Sequence, residues 1–199
     1  VSAGVVTVTD GYIDVSDSVR NTRIGSNAGD SFSGTDATDN TLIGYDAGTA
    51  ITTGDLNTAV GAYALDANTT GGQNTGLGEG ALGANSTGGS NTAVGRYALH
   101  FNTTADNNTA VGRYALYANT TGANNVAAGY AALDANTTGT RNVAVGAYVL
   151  DAATTADRNT AIGWQSMTAT TTGGYNTGVG DATLEANTTG GYNVAVGQG

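Results

Sequence analysis

The chain has 199 residues with 32 glycines, no proline and no cysteine, and it sets six Arg against sixteen Asp plus Glu for a net charge of −10. Glycine at that level without a Gly-X-Y period excludes collagen, and the missing cysteines exclude a disulfide framework and a thiolate metal site. The acidic balance argues against a nucleic-acid partner, and no apolar run reaches membrane-spanning length, so no membrane insertion is expected.

Residues 1–20 stand outside the pattern that governs everything after them. Val6 and Val8 alternate with Thr7 and Thr9, Ile13 and Val15 alternate with Asp14 and Ser16, and Asp10-Gly11 lies between them. Two period-2 runs around an Asp-Gly turn predict a strand pair that caps the array or pairs with another chain. Val1 is not a start methionine and no signal peptide is present, which reads as a processed form or a piece of a longer protein.

From residue 21 to residue 199 the chain repeats. A first unit, Asn21 to Asp39, carries two extra residues; units of seventeen then start at Asn40, Asn57, Asn74, Asn91, Asn108, Asn125, Asn142, Asn159 and Asn176, and a fragment runs from Asn193 to Gly199. A fixed short period predicts a mainly β architecture, a parallel β-solenoid or β-roll of ten to eleven coils. Position one is Asn in every unit, and stacked amides predict a ladder from coil to coil. Position four is aliphatic, as in Val60, Val94 and Val111, with Ala128 the one small member. Positions two and four share one face of a strand, so that face is expected to point to the core and the Ala or Gly of position three outward. Position five is always Gly, including Gly95, Gly112 and Gly129, as a sharp corner or close backbone approach requires.

The second half of each unit is less regular. Positions six, seven and ten vary and accept charge, whereas eight, nine and eleven stay small or apolar, which predicts a short helical turn per coil more than a second strand. Asn-Thr-Thr-Gly at positions twelve to fifteen predicts the return turn. Three apolar side chains per coil, at positions two, four and nine, make a thin core. Together with a flat surface of Ala and Gly, this predicts several chains side by side, a trimer foremost.

The strand motif N-V-A-V-G (142–146 and 193–197), with N-T-A-V-G and N-T-A-I-G (159–163), resembles the S-V-A-I-G strand of trimeric autotransporter adhesin heads. The full unit N-T-A-V-G-x-x-A-L-x-x-N-T-T-G resembles repeats of bacteriophage tail-fibre-like proteins even more closely, over residues 21–199. The resemblance implies a trimeric β-roll in an extracellular, cell-surface or virion-borne fibre, with no catalytic residue to carry over. The coil is longer than the adhesin head's, and no coiled-coil stalk, membrane anchor or chaperone domain accompanies it.

Candidate chemistry is sparse, and neither an enzyme site, a cofactor nor a bound metal is expected. His100 shares a variable position with Tyr117 and Asp134 and reads as a surface residue. Asp10, Asp14 and Asp17, with Asp30, Asp36 and Asp39, lack calcium-loop spacing and read as solvated turn carboxylates. Asn-x-Thr/Ser acceptor patterns recur at Asn68, Asn85, Asn102, Asn107, Asn119, Asn136 and Asn187, which turn chemistry alone explains. Rows such as Thr69-Thr70 and Thr103-Thr104 raise an ice-binding surface as a rival, opposed by their place in a turn. Exposed aromatics are the recognition candidates, Tyr97, Tyr114, Tyr117 and Trp164 above all, either for a cell-surface glycan or protein or simply stacked on one another. The expected function is a structural, non-enzymatic segment or subunit of an extracellular fibre or filament that can also serve adhesion. Its alternatives are a filament of chains stacked end to end without receptor binding, and an ice-binding or glycan-binding β-solenoid.

Overall fold

The computed structural model describes residues 19–32 and 36–199. The strand pair expected before residue 19 lies outside the described residues. Eleven three-residue strands run from β1 (Thr22–Ile24) to β11 (Val194–Val196) and form one sheet in sequence order. Each strand is parallel to the next and in register, so Thr92 pairs with Thr109 and Val94 with Val111, seventeen residues on. The period therefore does make a parallel β-solenoid. Hydrogen bonding from coil to coil continues beyond the sheet: Leu99 N–H donates to Ala115 O (2.9 Å), Thr103 N–H to Thr120 O (3.0 Å) and Asn107 N–H back to Gly89 O (3.2 Å). Each coil thus answers its backbone groups with its neighbours nearly all the way round.

The expected helical turn is not formed, and no helix occurs among the described residues. Two tight turns take its place. Ala98 N–H returns to Gly95 O and Asn102 N–H to Leu99 O, each at 3.2 Å. Positions seven and nine are left-handed, with φ 55° at Tyr97, 53° at Leu99, 61° at Tyr114 and 51° at Leu116, and position seventeen follows at Asn107 (60°) and Asn124 (62°). A left-handed non-glycine residue costs about 1–2 kcal/mol. The coil tolerates it because those turns aim the free N–H and C=O groups along the axis at the next coil and drop the Leu side chain into the interior. Position eleven, expected inside, faces out at Ala67 and Phe101. Position five turns the corner, with φ 135° at Gly95 and 132° at Gly112. A Cβ on Gly112 would lie 2.4 Å from the carbonyl oxygen of Gly129, so the stack can close only over glycine.

The sheet faces the other way from the sequence expectation. Position three points inward: Leu42, Ala59, Ala93, Ala110, Ala127, Ala144 and Ala161 are fully buried, while the aliphatic side chains of position four are half-buried or exposed. The reason is the width of the interior. A Cβ on Gly76, at position three, would sit 3.2 Å from Ala81 O and 3.5 Å from Leu65 Cγ, so the wall opposite leaves room for a methyl group and little more. One coil therefore buries a single Leu at position nine, from Leu65 to Leu150, between the Ala of positions three and eight. The unit starting at Asn40 keeps that volume by exchange. Leu42 and Ile51 enter the core where Gly48 replaces the Leu, and a Cβ on Gly48 would come within 2.8 Å of both.

Candidate functional site: an outer sheet face, an aromatic ridge and two amide ladders

Two buried ladders of asparagine hold the coils in register. At position one, Asn57, Asn74, Asn91, Asn108, Asn125, Asn142, Asn159 and Asn176 are all buried. The wiring differs from a simple amide stack: the backbone N–H of Asn91 donates to Asn74 Oδ1 (3.0 Å), and that of Asn108 to Asn91 Oδ1 (3.0 Å). The side-chain Nδ2 of Asn108 crosses the coil to Gly122 O at 2.9 Å. A second ladder, which the sequence reading treated as a return turn, stands at position twelve. There Asn119 Nδ2 donates to Asn102 Oδ1 (2.9 Å) and also to Gly122 O (3.0 Å). The signal for it was present, since Asn recurs at position twelve with Ala or Gly three residues on.

These ladders bear on glycosylation. Asn68, Asn85, Asn102, Asn119 and Asn136 are fully buried with their amide nitrogens bonded inside the coil, so the folded chain withholds them from a modifying enzyme. Asn107 is the exposed acceptor. The Thr rows of the return turn are likewise engaged: Thr69 Oγ1 donates to Ser86 O (3.0 Å) and Thr103 Oγ1 to Thr120 O (3.1 Å).

The outer face of the sheet is formed by positions two and four. Ile24, Leu77, Val111 and Ile162 are 47%, 45%, 42% and 39% exposed and stand in one row across the coils. Beside them Thr41, Thr58, Thr75, Thr92, Thr109, Thr160 and Thr177 carry hydroxyls that bond to no described protein group. No charged residue occupies either position in any of the eleven strands, although the chain carries sixteen carboxylates. The flat surface expected of Ala and Gly is thus replaced by one of Thr and Val.

Around the glycine corner from that face lies a ridge of aromatic rings. Tyr97 and Tyr114 are stacked at 6.0 Å between centroids with planes 6° apart, and His100 and Tyr117 at 5.8 Å and 10°. Tyr114 and Tyr117 meet edge to face at 5.3 Å, Phe101 joins Tyr117 at 5.0 Å, and Tyr130 and Tyr148 extend the row. Three sequence candidates, Tyr97, Tyr114 and Tyr117, therefore come together, and the sequence reading missed Phe101, His100 and Tyr130 beside them. Trp164 is 54% exposed but meets no other ring among the described residues, and Ala147 and Asp181 flank it in its column.

His100 is half-buried, not simply exposed. Its Nδ1 lies 2.8 Å from Gly80 O, and its ring folds over Gly83, where a Cβ would come within 2.8 Å of His100 Cε1. Arg96 pairs with Glu79 at 2.9 Å and lies over the Tyr97 ring at 4.6 Å, while Tyr97 OH donates to Glu79 at 2.9 Å. The Arg96 hydrogen bond holds the Glu79 carboxyl below its usual range, and the Glu79 acceptor raises the Tyr97 hydroxyl. Arg113 sits over the Tyr114 ring at 4.6 Å with no carboxylate beside it among the described residues.

Among the described residues, no group of three or more His, Asp or Glu side chains is placed to hold a metal ion. Asp66, Asp134 and Asp151 are half-buried at position ten, and burial pushes all three up from the ordinary value. Asp55 and Asp157 accept backbone N–H groups from the preceding coil, at 2.7 Å from Thr38 and 2.6 Å from Thr140. Asp39 holds Arg20 at 2.5 Å, and Asp10, Asp14 and Asp17 lie outside the described residues. The described surface carries one sheet face without charged side chains and one aromatic edge. No protein-family model, curated protein or solved structure matches the chain.

Proposed function

We propose that the chain is a structural, non-enzymatic segment of an extracellular fibre, built by copies of itself packed side by side through the outer sheet face. The observation that carries this reading is the continuous row of half-buried to exposed aliphatic side chains at position four on a face without charge. Exposed apolar patches larger than a few hundred Å² mark interaction sites. Eleven strands at the usual spacing extend over roughly 50 Å, and a strip about 10 Å wide gives on the order of 500 Å². Extended by the flanking threonines, that approaches the roughly 800 Å² per partner of a stable interface. For a chain at net −10, this face is also where like copies meet with least repulsion.

Three copies suit the geometry best. A three-fold axis closes the assembly, gathers one such face from each chain at the centre and leaves none open. The thin core supports the same reading, since one Leu per coil is little apolar burial for a rod standing alone. The resemblance of the repeat to trimeric adhesin heads and tail-fibre-like arrays adds the fibre role and the cell-surface or virion setting.

Sedimentation and negative-stain electron microscopy test the proposal. Discrete short rods with the mass of three 19.5 kDa chains are expected. Indefinite filaments would replace side-by-side packing with end-to-end stacking, and a monomer at micromolar concentration would overturn both. One observation favours a second reading, in which the same face orders water: its unbonded threonine hydroxyls and aliphatic methyls stand in adjacent rows that repeat from coil to coil, with Val126, Val143 and Val194 in the threonine row. A monomer that shows thermal hysteresis would establish that reading in place of the fibre.

A further inference from the structure

We infer that the aromatic ridge of Tyr97, His100, Phe101, Tyr114, Tyr117 and Tyr130 is a binding surface for an extended neutral polysaccharide lying along the solenoid axis. The inference deepens the adhesive side of the fibre reading and names its partner. Its location comes first. The ridge occupies positions six, seven, ten and eleven, around the corner from the sheet, so chains joined through their sheets still present it to solvent.

Its chemistry selects the partner. A pyranose ring has an apolar face of C–H groups and a rim of hydroxyls. Phe101 and Tyr130, 43% and 40% exposed, offer ring surface for the face, flanked by the half-buried and mutually packed Tyr97, Tyr114 and Tyr117. Polar groups serve the rim. Tyr114, Tyr117 and Tyr130 supply phenol hydroxyls, Arg113 supplies donors with no carboxylate beside it, and Glu79 and Asp134 supply acceptors at the two ends. Phe101 is the one wholly apolar ring, 43% exposed, which is little for the dry centre of a protein interface. A partner with many carboxylates or sulfates is disfavoured by the net charge of −10.

Its shape selects an extended chain over a single sugar. The aromatic positions repeat once per coil, with centroids 6.0 Å apart from Tyr97 to Tyr114 and 6.3 Å from Tyr114 to Tyr130, a repeat on the scale of one sugar unit in a linear polymer. The array runs through the coils that contain Tyr97, Tyr114 and Tyr130, and no enclosed cavity accompanies it among the described residues. The rings are also fixed before any ligand arrives. Tyr97 lies over Gly80, where a Cβ would come within 2.5 Å of Tyr97 Cδ1, and its hydroxyl is tied to Glu79, which lowers the ordering cost of binding.

Affinity gel electrophoresis of the full chain tests the inference, with hydroxyethyl cellulose, laminarin, galactomannan and xyloglucan as neutral probes, alginate as the acidic probe and gelatin as the protein probe. Retardation by at least one neutral polymer and none by alginate is expected. The pair Tyr114→Ala with Tyr117→Ala should weaken that retardation about tenfold or more, and Trp164→Ala should leave it unchanged. The double variant should fold, because Ala131 and Ala182 already occupy position seven and Gly83 position ten; circular dichroism checks that. No retardation in any neutral gel, or retardation that the double variant leaves intact, would overturn the inference. Retardation by gelatin alone would also overturn it in favour of a protein partner. Sedimentation separates the two proposals: a trimer that binds no polysaccharide sinks this one and leaves the fibre, and a monomer that binds one does the reverse.

Discussion

Ala153 interrupts the inner amide ladder, and the consequence is visible one coil earlier. Asn136 Oδ1 is buried and has no hydrogen-bond partner, because the amide that would donate to it from position twelve of the next coil is absent. Ala156 O accepts from Asn142 Nδ2 at 2.7 Å but lacks the second donor that Gly122 O receives from Asn119. Ala153→Asn places an NH2 group where it meets both acceptors. The expected gain is about 1 kcal/mol or more, a rise of roughly 2–4 °C in the melting temperature, read by circular dichroism. An unchanged or lowered melting temperature would show that the coil there does not follow its neighbours. Asp134 is a second adjustable residue. Burial raises its carboxyl, and that of Asp151 one coil on, so the folded chain binds protons that the unfolded chain, at about 3.9, has already released. Their contribution to stability therefore falls as pH rises through that interval and is least favourable at neutral pH. Asp39 and Glu79, lowered by Arg20 and Arg96, titrate in the opposite sense, but both pairs are exposed and contribute little. Asp134→Asn should raise the melting temperature at pH 7 and flatten its dependence between pH 4 and 7.

At the scale of the coil, the sequence was legible where a position is invariant for a backbone reason. Gly112 is demanded by a carbonyl of the next coil, and Asn108 by an N–H of the next coil, so the corner and the first ladder could be read without coordinates. The inward face could not. Hydrophobicity favours burying Val111 over Ala110, yet the space between sheet and return segment admits only the smaller side chain, and that width is a property of the closed coil. Leu116 was placed correctly inside but in the wrong conformation. Helical spacing and two successive left-handed turns bury the same positions eight and nine, and no local preference favours a left-handed Leu. Because each coil answers only its neighbours, its removal should be tolerated whole and not in part. Deleting 108–124 joins Asn107 to Asn125 and restores every column, so a folded chain with an unchanged circular dichroism profile is expected. Deleting 108–123 shifts every downstream side chain by one position and turns the core outward. Equal stability of the two deletions would mean that the columns do not set the register.

At the scale of the molecule, the inverted sheet moves the proposed interface as well as the core. Ala and Gly at position three are spent inside, so the surface left for another copy is the row of Val94, Val111, Val145 and Ile162 with its threonines. Val111 is paired in the ladder with Val94 and is 42% exposed in the single chain, so its backbone role is independent of its side chain. A carboxylate there is solvated in a free chain and trapped in an assembled one. In a three-fold assembly, three such carboxylates would meet near one axis, each desolvated and facing two like charges, at a cost of several kcal/mol. Val111→Asp is thus expected to leave the circular dichroism profile of the coil intact and to shift sedimentation from trimer to monomer at micromolar concentration. Val111→Thr keeps the β-branched shape and the uncharged face, and the trimer should survive it. If Val111→Asp still sediments as the parent does, the sheet face is not where the copies meet, and the aromatic ridge becomes the remaining surface able to join them.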